Sequence, residues 1–261
     1  MPRRTSNDDA FAGPLIAVVL GVIVLFAFVG AAVLIASLRS SSDEATRDVY
    51  VSIGDSLAAG SGASDPASTS FPALLAAREE VSLHNVAAAG ATTQDVMDDQ
   101  LARALVSIQA GRVAFVTISA GGNDLAALIP NAACVEDPLP ASCPLDDALA
   151  RVETNLDAIV AYIRDADRRV PIVLLAYPNL FSGTGHAWEA PAGRVLPQLG
   201  DVIRDVAARY DRVAVAEPAP QFEGNGGRLT HVLDQPFDPH PNDAGHSAIA
   251  DAFAAALEDA R

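Results

Sequence analysis

The segment that indicates a fold class is Asp48-Val-Tyr-Val-Ser-Ile-Gly-Asp-Ser56, which continues as Leu-Ala-Ala-Gly60. Its β-branched residues Val49, Val51 and Ile53 suit a short buried strand, and the glycine before Asp55 lets the backbone turn sharply where the strand ends. A serine directly after the carboxyl end of a strand lies where an open α/β sheet places its ligand crevice. We therefore predict that Ser56 is a nucleophile at the edge of such a sheet.

Four further segments have the apolar composition of strands, and helical patterns separate them. The strand candidates are residues 81–86, 113–118, 171–177 and 213–216. The helix candidates are residues 72–80, a segment opened by Thr92, residues 145–163, residues 202–210 and a last helix from Asn242. Residues 180–197 are expected to be irregular. Strands that alternate with helices, without hairpin signals, indicate a parallel sheet covered on both faces. We predict an α/β domain with about five strands.

An apolar run of 25 residues, 14–38, precedes this domain. It can form a helix about 37 Å long, which is enough to span a bilayer, and it is longer than the apolar core of a cleaved signal peptide. Arg3 and Arg4 lie before it and favour a cytoplasmic amino end. We predict a cytoplasmic tail (1–13), a transmembrane anchor in the cell membrane (14–38), a linker (39–47) and an extracytoplasmic domain (48–261), with a cleaved signal peptide as the alternative.

The charge of the chain argues against some partners. Its formal net charge is −16, and all 17 basic residues are arginine. Residues 1–47 contain four arginines and four acids, so the domain carries the whole excess of negative charge. Nucleic acids and anionic lipid surfaces both need a basic footprint. We therefore expect neither of them to be the partner of this domain.

Three of the predicted strands end in small or polar residues that suit a catalytic site. They are followed by Gly54-Asp-Ser56, Gly90-Ala-Thr-Thr93 and Gly121-Gly-Asn-Asp124, and the carboxyl ends of parallel strands share one edge of the sheet. Asp238-Pro-His240 lies before the last predicted helix and can reach that edge if the last strand lies beside the crevice. A serine nucleophile needs a histidine base, a group that orients the imidazole and donors for the oxyanion. The four segments contain a residue type for each task.

Four blocks in this order resemble the SGNH, or GDSL-type, hydrolases, a family of esterases and lipases. The blocks are Gly54-Asp-Ser-Leu57, Asn85-Val-Ala-Ala-Ala-Gly90, Gly121-Gly-Asn-Asp124 and His240-Pro-Asn242. The resemblance spans the domain but not the anchor, and it implies a flavodoxin-like three-layer α/β/α fold and ester hydrolysis without a metal or other cofactor. By residue-to-residue match, Ser56 is the expected nucleophile and His240 the expected base. The expected oxyanion hole consists of the Ser56 and Gly90 backbone N–H groups and the Asn123 amide.

The group that orients His240 departs from the family pattern. The family usually places an aspartate three residues before the histidine, where this chain has Phe237. Asp238 lies two residues before the histidine and Asp234 six residues before it. We predict that Asp238 is the orienting carboxylate. Asp234 is one alternative, and a backbone carbonyl, which some members of the family use, is the other.

Two other functions fit parts of the sequence. Thr117-Ile-Ser119-Ala-Gly121 is one residue short of the Gly-x-Ser-x-Gly elbow of α/β-hydrolases, so Ser119 is an alternative nucleophile. An inactive domain of the same fold that binds envelope glycan or lipid is the second alternative. The substrate that the resemblance implies is a small-molecule, lipid or acylated-glycan ester.

Two cysteines and two aromatic residues lie in the segments between the catalytic blocks. Outside the cytoplasm, Cys134 and Cys143 are expected to form a disulfide. Trp188 and Phe181 either line the acyl or alcohol site or hold a loop in place.

Four residues near the carboxyl end can also be interpreted as metal ligands: His240, Asp238, Asp243 and His246. Their spacing matches no zinc pattern, and His246 is expected to cap or pack the last helix. We therefore predict no metal site.

Overall fold

A five-stranded parallel sheet forms the centre of the part of the chain that the computed structural model describes, residues 47–128, 134, 136, 140 and 142–261. Its strands are β1 (Val49–Gly54), β2 (Ser82–Asn85), β3 (Val113–Ser119), β4 (Ile172–Leu175) and β5 (Val213–Ala216). They lie in the order β2-β1-β3-β4-β5, and each neighbouring pair is parallel. The predicted α/β sheet of about five strands is confirmed.

Helices connect the strands and cover both faces of the sheet. In chain order they are α1 (Ser56–Ala59), α2 (Phe71–Arg78), α3 (Thr93–Asp95), a π-helical turn (Val96–Gln100), α4 (Leu101–Gln109), α5 (Gly122–Ala126), α6 (Leu145–Ala166), α7 (Glu189–Ala207), α8 (Ala219–Phe222), α9 (Gly226–Leu229) and α10 (Asp243–Ala260). Helices α4, α6 and α7 bury their apolar residues against one face, and α2 and α10 bury theirs against the other. The arrangement is the expected three-layer α/β/α architecture.

Successive residues of the strands point to opposite layers, which explains why these strands are apolar on both faces. In β1, Tyr50 belongs to the core shared with α2 and α10, whereas Val51 belongs to the core shared with α4, α6 and α7. Tyr50 stacks on Phe115, with 4.4 Å between the ring centroids, and its hydroxyl lies 2.6 Å from Oγ1 of Thr117. Burial on both faces is typical of parallel strands.

The strand order changes direction at β1, which places a crevice at the carboxyl ends of β1 and β3. From β1 the chain crosses to β2 on one side of the sheet and then to β3 on the other side. Gly54 at the end of β1 is paired with Ser119 at the end of β3. Open α/β sheets bind their ligands at such a switch point. Ser56 and Asn123, which follow these two strands, therefore start from neighbouring positions.

Helix α7 begins earlier than the sequence pattern indicates. It starts at Glu189, whereas the sequence predicts an irregular segment over 180–197 and a helix over 202–210. Pro191 lies in the first turn, where the missing N–H has little cost. Pro197 lies inside the helix, where it removes a backbone hydrogen bond. Burial of Leu199 and Ile203 on the same helix offsets that loss.

Arg47, the first described residue, is attached to the sheet domain. Its guanidinium pairs with Asp167 at 2.7 Å and donates to the carbonyl of Val113 at 3.1 Å, which attaches this residue to the domain. Among the described residues, no helix is both long and apolar enough to cross a bilayer. The predicted tail and anchor, and the first eight residues of the predicted linker, lie outside the described residues.

Candidate active site

Gly54 closes β1 in a conformation that only glycine adopts readily. Its φ is +142°, and a Cβ at this position would lie 2.2 Å from the carbonyl oxygen of Ser119. The buried side chain of Gln100 accepts a hydrogen bond from the Gly54 N–H and donates one to the Gly54 carbonyl, both at 2.8 Å. The turn that presents Ser56 is thus held by side-chain hydrogen bonds from the π-helical turn.

Asp55 anchors the residue before the candidate nucleophile. Its Oδ1 accepts hydrogen bonds from the Leu57 N–H at 3.0 Å and from Oγ of Ser119 at 2.6 Å, and its Oδ2 accepts one from the Tyr177 hydroxyl at 2.5 Å. Burial raises the pKa of Asp55, although these hydrogen bonds oppose the rise. As the N-cap of α1, Asp55 sets the direction in which Ser56 leaves the strand.

Ser119 does not fit the role of an alternative nucleophile. It is fully buried, and its hydroxyl donates to Asp55. Ser56, in contrast, is partly exposed at the first position of α1. A nucleophile must reach its substrate, so the geometry favours Ser56 over Ser119. The interpretation of the Thr117–Gly121 pattern as a hydrolase elbow therefore has less support from the geometry than the assignment to Ser56.

Asn123 lies in the first turn of α5, where its amide is held in one orientation. Its Nδ2 donates to the carbonyl of Ala91 at 2.9 Å, and an amide nitrogen has a second hydrogen that it can donate to a substrate. Gly90 immediately precedes Ala91 and is exposed, with a φ of +82°, and a Cβ added to it would have no neighbour within 4 Å. The bond from Asn123 thus connects the two loops that are expected to supply oxyanion donors.

His240 is paired with Asp238. Its Nδ1 lies 2.5 Å from Oδ1 of Asp238, and its backbone N–H donates to the same oxygen at 3.0 Å. Partial burial acts to raise the pKa of Asp238, but the hydrogen bonds from His240 outweigh it and lower that pKa below its ordinary value. A carboxylate held at Nδ1 leaves Nε2 of the imidazole as the nitrogen that can exchange a proton with a substrate.

Asp234, the alternative orienting group, has a different partner. Its Oδ2 lies 2.6 Å from Nδ1 of His231, whose Nε2 lies 3.0 Å from the carbonyl oxygen of Gly62. The hydrogen bond with Asp234 raises the pKa of His231. The chain thus contains two histidine–aspartate pairs in one loop, and Asp234 serves the pair that does not contain His240.

His246 and Asp243, two of the four residues that the sequence offers as metal ligands, contact other groups in the structure. His246 is buried, where its Nδ1 accepts from the Phe71 N–H at 3.2 Å and its Nε2 lies 3.0 Å from the Ser61 carbonyl oxygen. Burial lowers the pKa of His246. Asp243 accepts three hydrogen bonds from Ser64 and Thr69, which lower its pKa to about 2. Both side chains thus join α10 to the segment that follows α1.

Ser56, Asn123 and His240 line one cavity of about 260 Å³, which we call the Ser56 cavity. No hydrogen bond joins Ser56 to His240 in the described part of the chain, which is common before a substrate binds. Gly90 is not among the lining residues. Most of the wall is apolar: it includes Leu57, Leu125, Ala126, Leu128, Leu145, Tyr177, Leu180, Phe181, Trp188, Ala192, Val195 and Leu196. Phe181 and Trp188 therefore line the cavity beside the candidate nucleophile.

Cys134 and Cys143 are joined by a disulfide, with 5.0 Å between their Cα atoms. Both residues line the Ser56 cavity. The His186 ring stacks on Phe181 and on Phe237, each with 5.1 Å between ring centroids. Phe181 and Trp188 also line this cavity, so the disulfide and the aromatic residues before α7 both contribute to its wall.

The sequence analysis does not identify Gln100 and Tyr177, although both hold the turn that carries Ser56. Gln100 bonds to Gly54, and Tyr177 bonds to Asp55. Gln100 lies on an otherwise amphipathic helix, where a polar residue is normally exposed. Tyr177 follows β4 and contacts Asp55, a residue 122 positions earlier in the chain. Burial and the neighbouring Asp55 raise the pKa of Tyr177 well above its ordinary value, so its hydroxyl stays a donor. Neither contact has a local sequence signal.

Replacing Gln100 with leucine is expected to destabilise the domain by about 1–3 kcal/mol, because the buried Gly54 N–H loses its partner. Urea unfolding followed by circular dichroism measures this change. Gln94→Leu is the matched control: Gln94 is exposed and bonds only to Asp98 among the described contacts, at 3.0 Å. Its expected effect is within about 0.5 kcal/mol. Equal losses in the two variants would show that the Gln100–Gly54 contact adds no stability.

Comparison with known proteins gives a consistent family assignment. The model of the GDSL-like lipase/acylhydrolase family matches residues 52–248, whereas no curated protein sequence matches the chain. The phospholipase A1 of Streptomyces albidoflavus has a TM-score of 0.63 at 24% identity, with 80% of this chain and 99% of that chain covered. The extracellular lipase of Streptomyces rimosus gives 0.55 at 24% identity over 80% and 99%. The acetylxylan esterase Axe2 of Geobacillus stearothermophilus gives 0.54 at 20% identity over 80% and 94%.

These structural similarities, at 24% identity or less, show a shared fold. The family model adds the sequence blocks that line the Ser56 cavity, since it covers Gly54–Ser56, Asn123 and His240. It spans most of the described domain, from β1 into α10. The chain therefore belongs to the GDSL-like lipase/acylhydrolase family and is a carboxylic ester hydrolase.

Proposed function

We propose that the chain is a membrane-anchored serine esterase or lipase that hydrolyses carboxylic esters outside the cytoplasm, through an acyl-enzyme on Ser56. The observation that carries this proposal is the Ser56 cavity. One apolar space brings together a partly exposed serine, an oriented asparagine amide and a histidine whose Nδ1 is held by a carboxylate. These are the groups that ester hydrolysis by a serine nucleophile requires.

In the first half of the proposed reaction, Nε2 of His240 takes the hydroxyl proton of Ser56 as Oγ bonds to the ester carbonyl carbon. The developing oxyanion is stabilised by the Asn123 amide and by the backbone N–H groups of Ser56 and Gly90. Asp238 holds the imidazolium that forms. The intermediate then collapses, the bond to the alcohol breaks, and His240 gives its proton to the leaving oxygen. Ser56 is left acylated.

In the second half, a water molecule takes the place of the alcohol. His240 removes a proton from this water as its oxygen bonds to the acyl carbon, and the same oxyanion donors are used again. When the bond to Ser56 breaks, the proton returns from His240 to Oγ. The products are a carboxylic acid and the free enzyme. One histidine thus serves as base and acid in each half, in agreement with the general pattern of serine hydrolases.

The location is part of the same proposal. The apolar run 14–38 has the length of a spanning helix, and the arginines before it favour a cytoplasmic amino end. A disulfide between Cys134 and Cys143 suits an oxidising compartment. An extracytoplasmic domain meets lipid and acylated-glycan esters of the cell envelope, and the apolar cavity wall favours an ester with a hydrocarbon part.

A fluorophosphonate probe tests the proposal on the purified full-length chain. The expected result is a single phosphonylated residue, Ser56, in peptide mass mapping, together with hydrolysis of a short nitrophenyl ester that the probe blocks. Labelling at another serine would reassign the nucleophile. A folded chain that neither reacts with the probe nor hydrolyses esters, but retains envelope glycan or lipid, would support the binding-module alternative. Protease added to intact cells tests the location separately, since an extracytoplasmic domain over residues 48–261 is expected to be accessible to it. A domain that stays intact until the cells are lysed would contradict this location.

A further inference from the structure

A second cavity lies next to the Ser56 cavity and shares lining residues with it. We call it the Arg204 cavity; its volume is about 480 Å³. Three residues line both cavities: Tyr177, Ala192 and Leu196. These three residues are the part of the wall that the two spaces have in common, which we call the shared layer. An acyl chain that extends from Ser56 past this layer enters the second cavity.

The two cavities differ in chemistry. The Ser56 cavity is mostly apolar, and the wall of the Arg204 cavity, although also largely apolar, includes the charged residues Arg204, Glu217 and Glu223. The Arg204 guanidinium pairs with Asp201 at 2.7 Å and with Glu217 at 2.9 Å, and these carboxylates raise its pKa. A hydrocarbon tail gains by leaving water for the first cavity, but it would meet charged groups in the second. We therefore expect an acyl chain to end at the shared layer and not to enter the Arg204 cavity.

Of the three shared residues, Leu196 has the most freedom to open or close the shared layer. Tyr177 is held by its hydrogen bond to Asp55, and a Cβ on Gly122 would lie 2.8 Å from the Tyr177 ring. Ala192 has no rotatable side chain. Leu196 lies four residues further along α7, on the same face of the helix as Ala192, and it is half-buried. Its side chain can change rotamer without breaking a hydrogen bond.

From this arrangement we infer that Leu196 is the specificity-determining residue that limits acyl length, and that the substrates are esters of fatty acids longer than acetic acid. The inference rests on the proposed acyl-enzyme at Ser56. The cavity, of about 260 Å³, extends from Ser56 to Leu196. An acyl chain that reaches Leu196 therefore fills the acyl part of the cavity, and a longer one must displace this side chain.

The position of the acyl chain, rather than the alcohol, in this cavity follows from the role of His240. His240 protonates the leaving alcohol, so the alcohol lies on the histidine side of the reacting carbon. Leu125, Leu145 and Leu196 extend the apolar wall along α5, α6 and α7, and α5 is the helix that carries Asn123. The acyl chain thus extends past the oxyanion donors along these helices.

The test is a chain-length profile with nitrophenyl esters from two to sixteen carbons, used below their aggregation concentration. For the wild-type chain, kcat/KM is expected to rise about three- to fourfold per methylene until the acyl chain reaches Leu196, and then to level off or fall. In Leu196→Ala the limit is expected to move to chains at least two carbons longer, with each profile normalised to its own acetate ester. Leu196→Trp is expected to move it to shorter chains.

Val195→Ala is the matched control, because Val195 lines the Ser56 cavity but not the Arg204 cavity. Its limit is expected to stay at the wild-type length. A second series with fixed acetyl and growing alcohol is expected to show no length limit at the same size. The inference is overturned if Leu196→Ala and Val195→Ala give the same profile, if acetate is the best wild-type substrate, or if the limit follows the alcohol. In those cases, labelling of Ser56 by the fluorophosphonate would still support the proposed function.

Discussion

Replacing Ser56 with alanine is expected to lower kcat/KM for a short nitrophenyl ester by at least about 10⁴-fold, since the acyl-enzyme can no longer form. The oxyanion donors and the cavity remain, so a small rate above the background of water is expected to persist. The experiment compares initial rates of the purified variant and wild type, with unfolding temperatures to show that both are folded. Ser56 is partly exposed and its hydroxyl donates to no described partner, so its truncation should leave stability almost unchanged.

Ser119→Ala is the matched control for this experiment. Ser119 is buried, and its hydroxyl bonds to Asp55 at 2.6 Å, so its loss leaves a buried carboxylate oxygen with fewer donors and lowers stability by about 1–3 kcal/mol. The fluorophosphonate should still label Ser56 in this variant. The assignment of the nucleophile would be refuted by a Ser56→Ala variant with wild-type kcat/KM, or by a folded Ser119→Ala variant that no longer reacts with the probe.

The architecture could be predicted from the sequence because its signals are local. Each strand is a short apolar run, and the long helix α6 shows apolar residues at three- and four-residue steps from Leu145 to Ile163. Parallel order then follows from the alternation of strands and helices. The catalytic blocks could be located for the same reason, since they immediately follow strands or precede a helix. Ser56 and Asn123 are close because β1 and β3 are neighbours.

The features that the sequence does not predict depend on contacts between residues far apart in the chain. Gln100 lies 46 residues from Gly54, and Tyr177 lies 122 residues from Asp55, so neither pairing has a local pattern. The start of α7 was obscured by Pro191 and Pro197, which propensity alone places outside a helix interior. The Ser56 cavity also has no local sequence pattern, because its wall combines α5, α6 and α7 with a disulfide. Tertiary packing rather than local preference determines these features.

The orienting carboxylate shows how the sequence and the structure complement each other. The sequence offers Asp234 and Asp238 and does not distinguish them by family spacing, because Phe237 occupies the usual position. The structure gives each aspartate its own histidine: Asp238 lies at His240 and Asp234 at His231. Both histidine–aspartate pairs lie in one loop, so the same aspartate-to-asparagine substitution can be made in each pair and the two variants compared.

Asp238→Asn is expected to lower kcat by about 10²- to 10⁴-fold, the upper figure being the loss seen when a buried orienting aspartate is changed to asparagine. Asparagine can still place Oδ1 against both the backbone N–H and Nδ1 of His240, since the aspartate uses one oxygen for both contacts. The neutral amide, however, has no negative charge with which to stabilise the imidazolium that forms when His240 takes the Ser56 proton. Since Asp238 is partly exposed, water screens part of its charge, which is why a range is expected.

Asp234→Asn makes the same change at His231 and is expected to alter kcat by less than about threefold, because His231 supports Gly62 rather than the reacting bond. The two variants are compared by kcat, by KM and by the rate of fluorophosphonate labelling at Ser56. Labelling needs an activated serine but no leaving alcohol, so it should fall in Asp238→Asn alone. If Asp234→Asn were the damaging change, the base would be His231 and the loop would have to rearrange. If neither variant lost activity, a backbone carbonyl would be sufficient to orient His240.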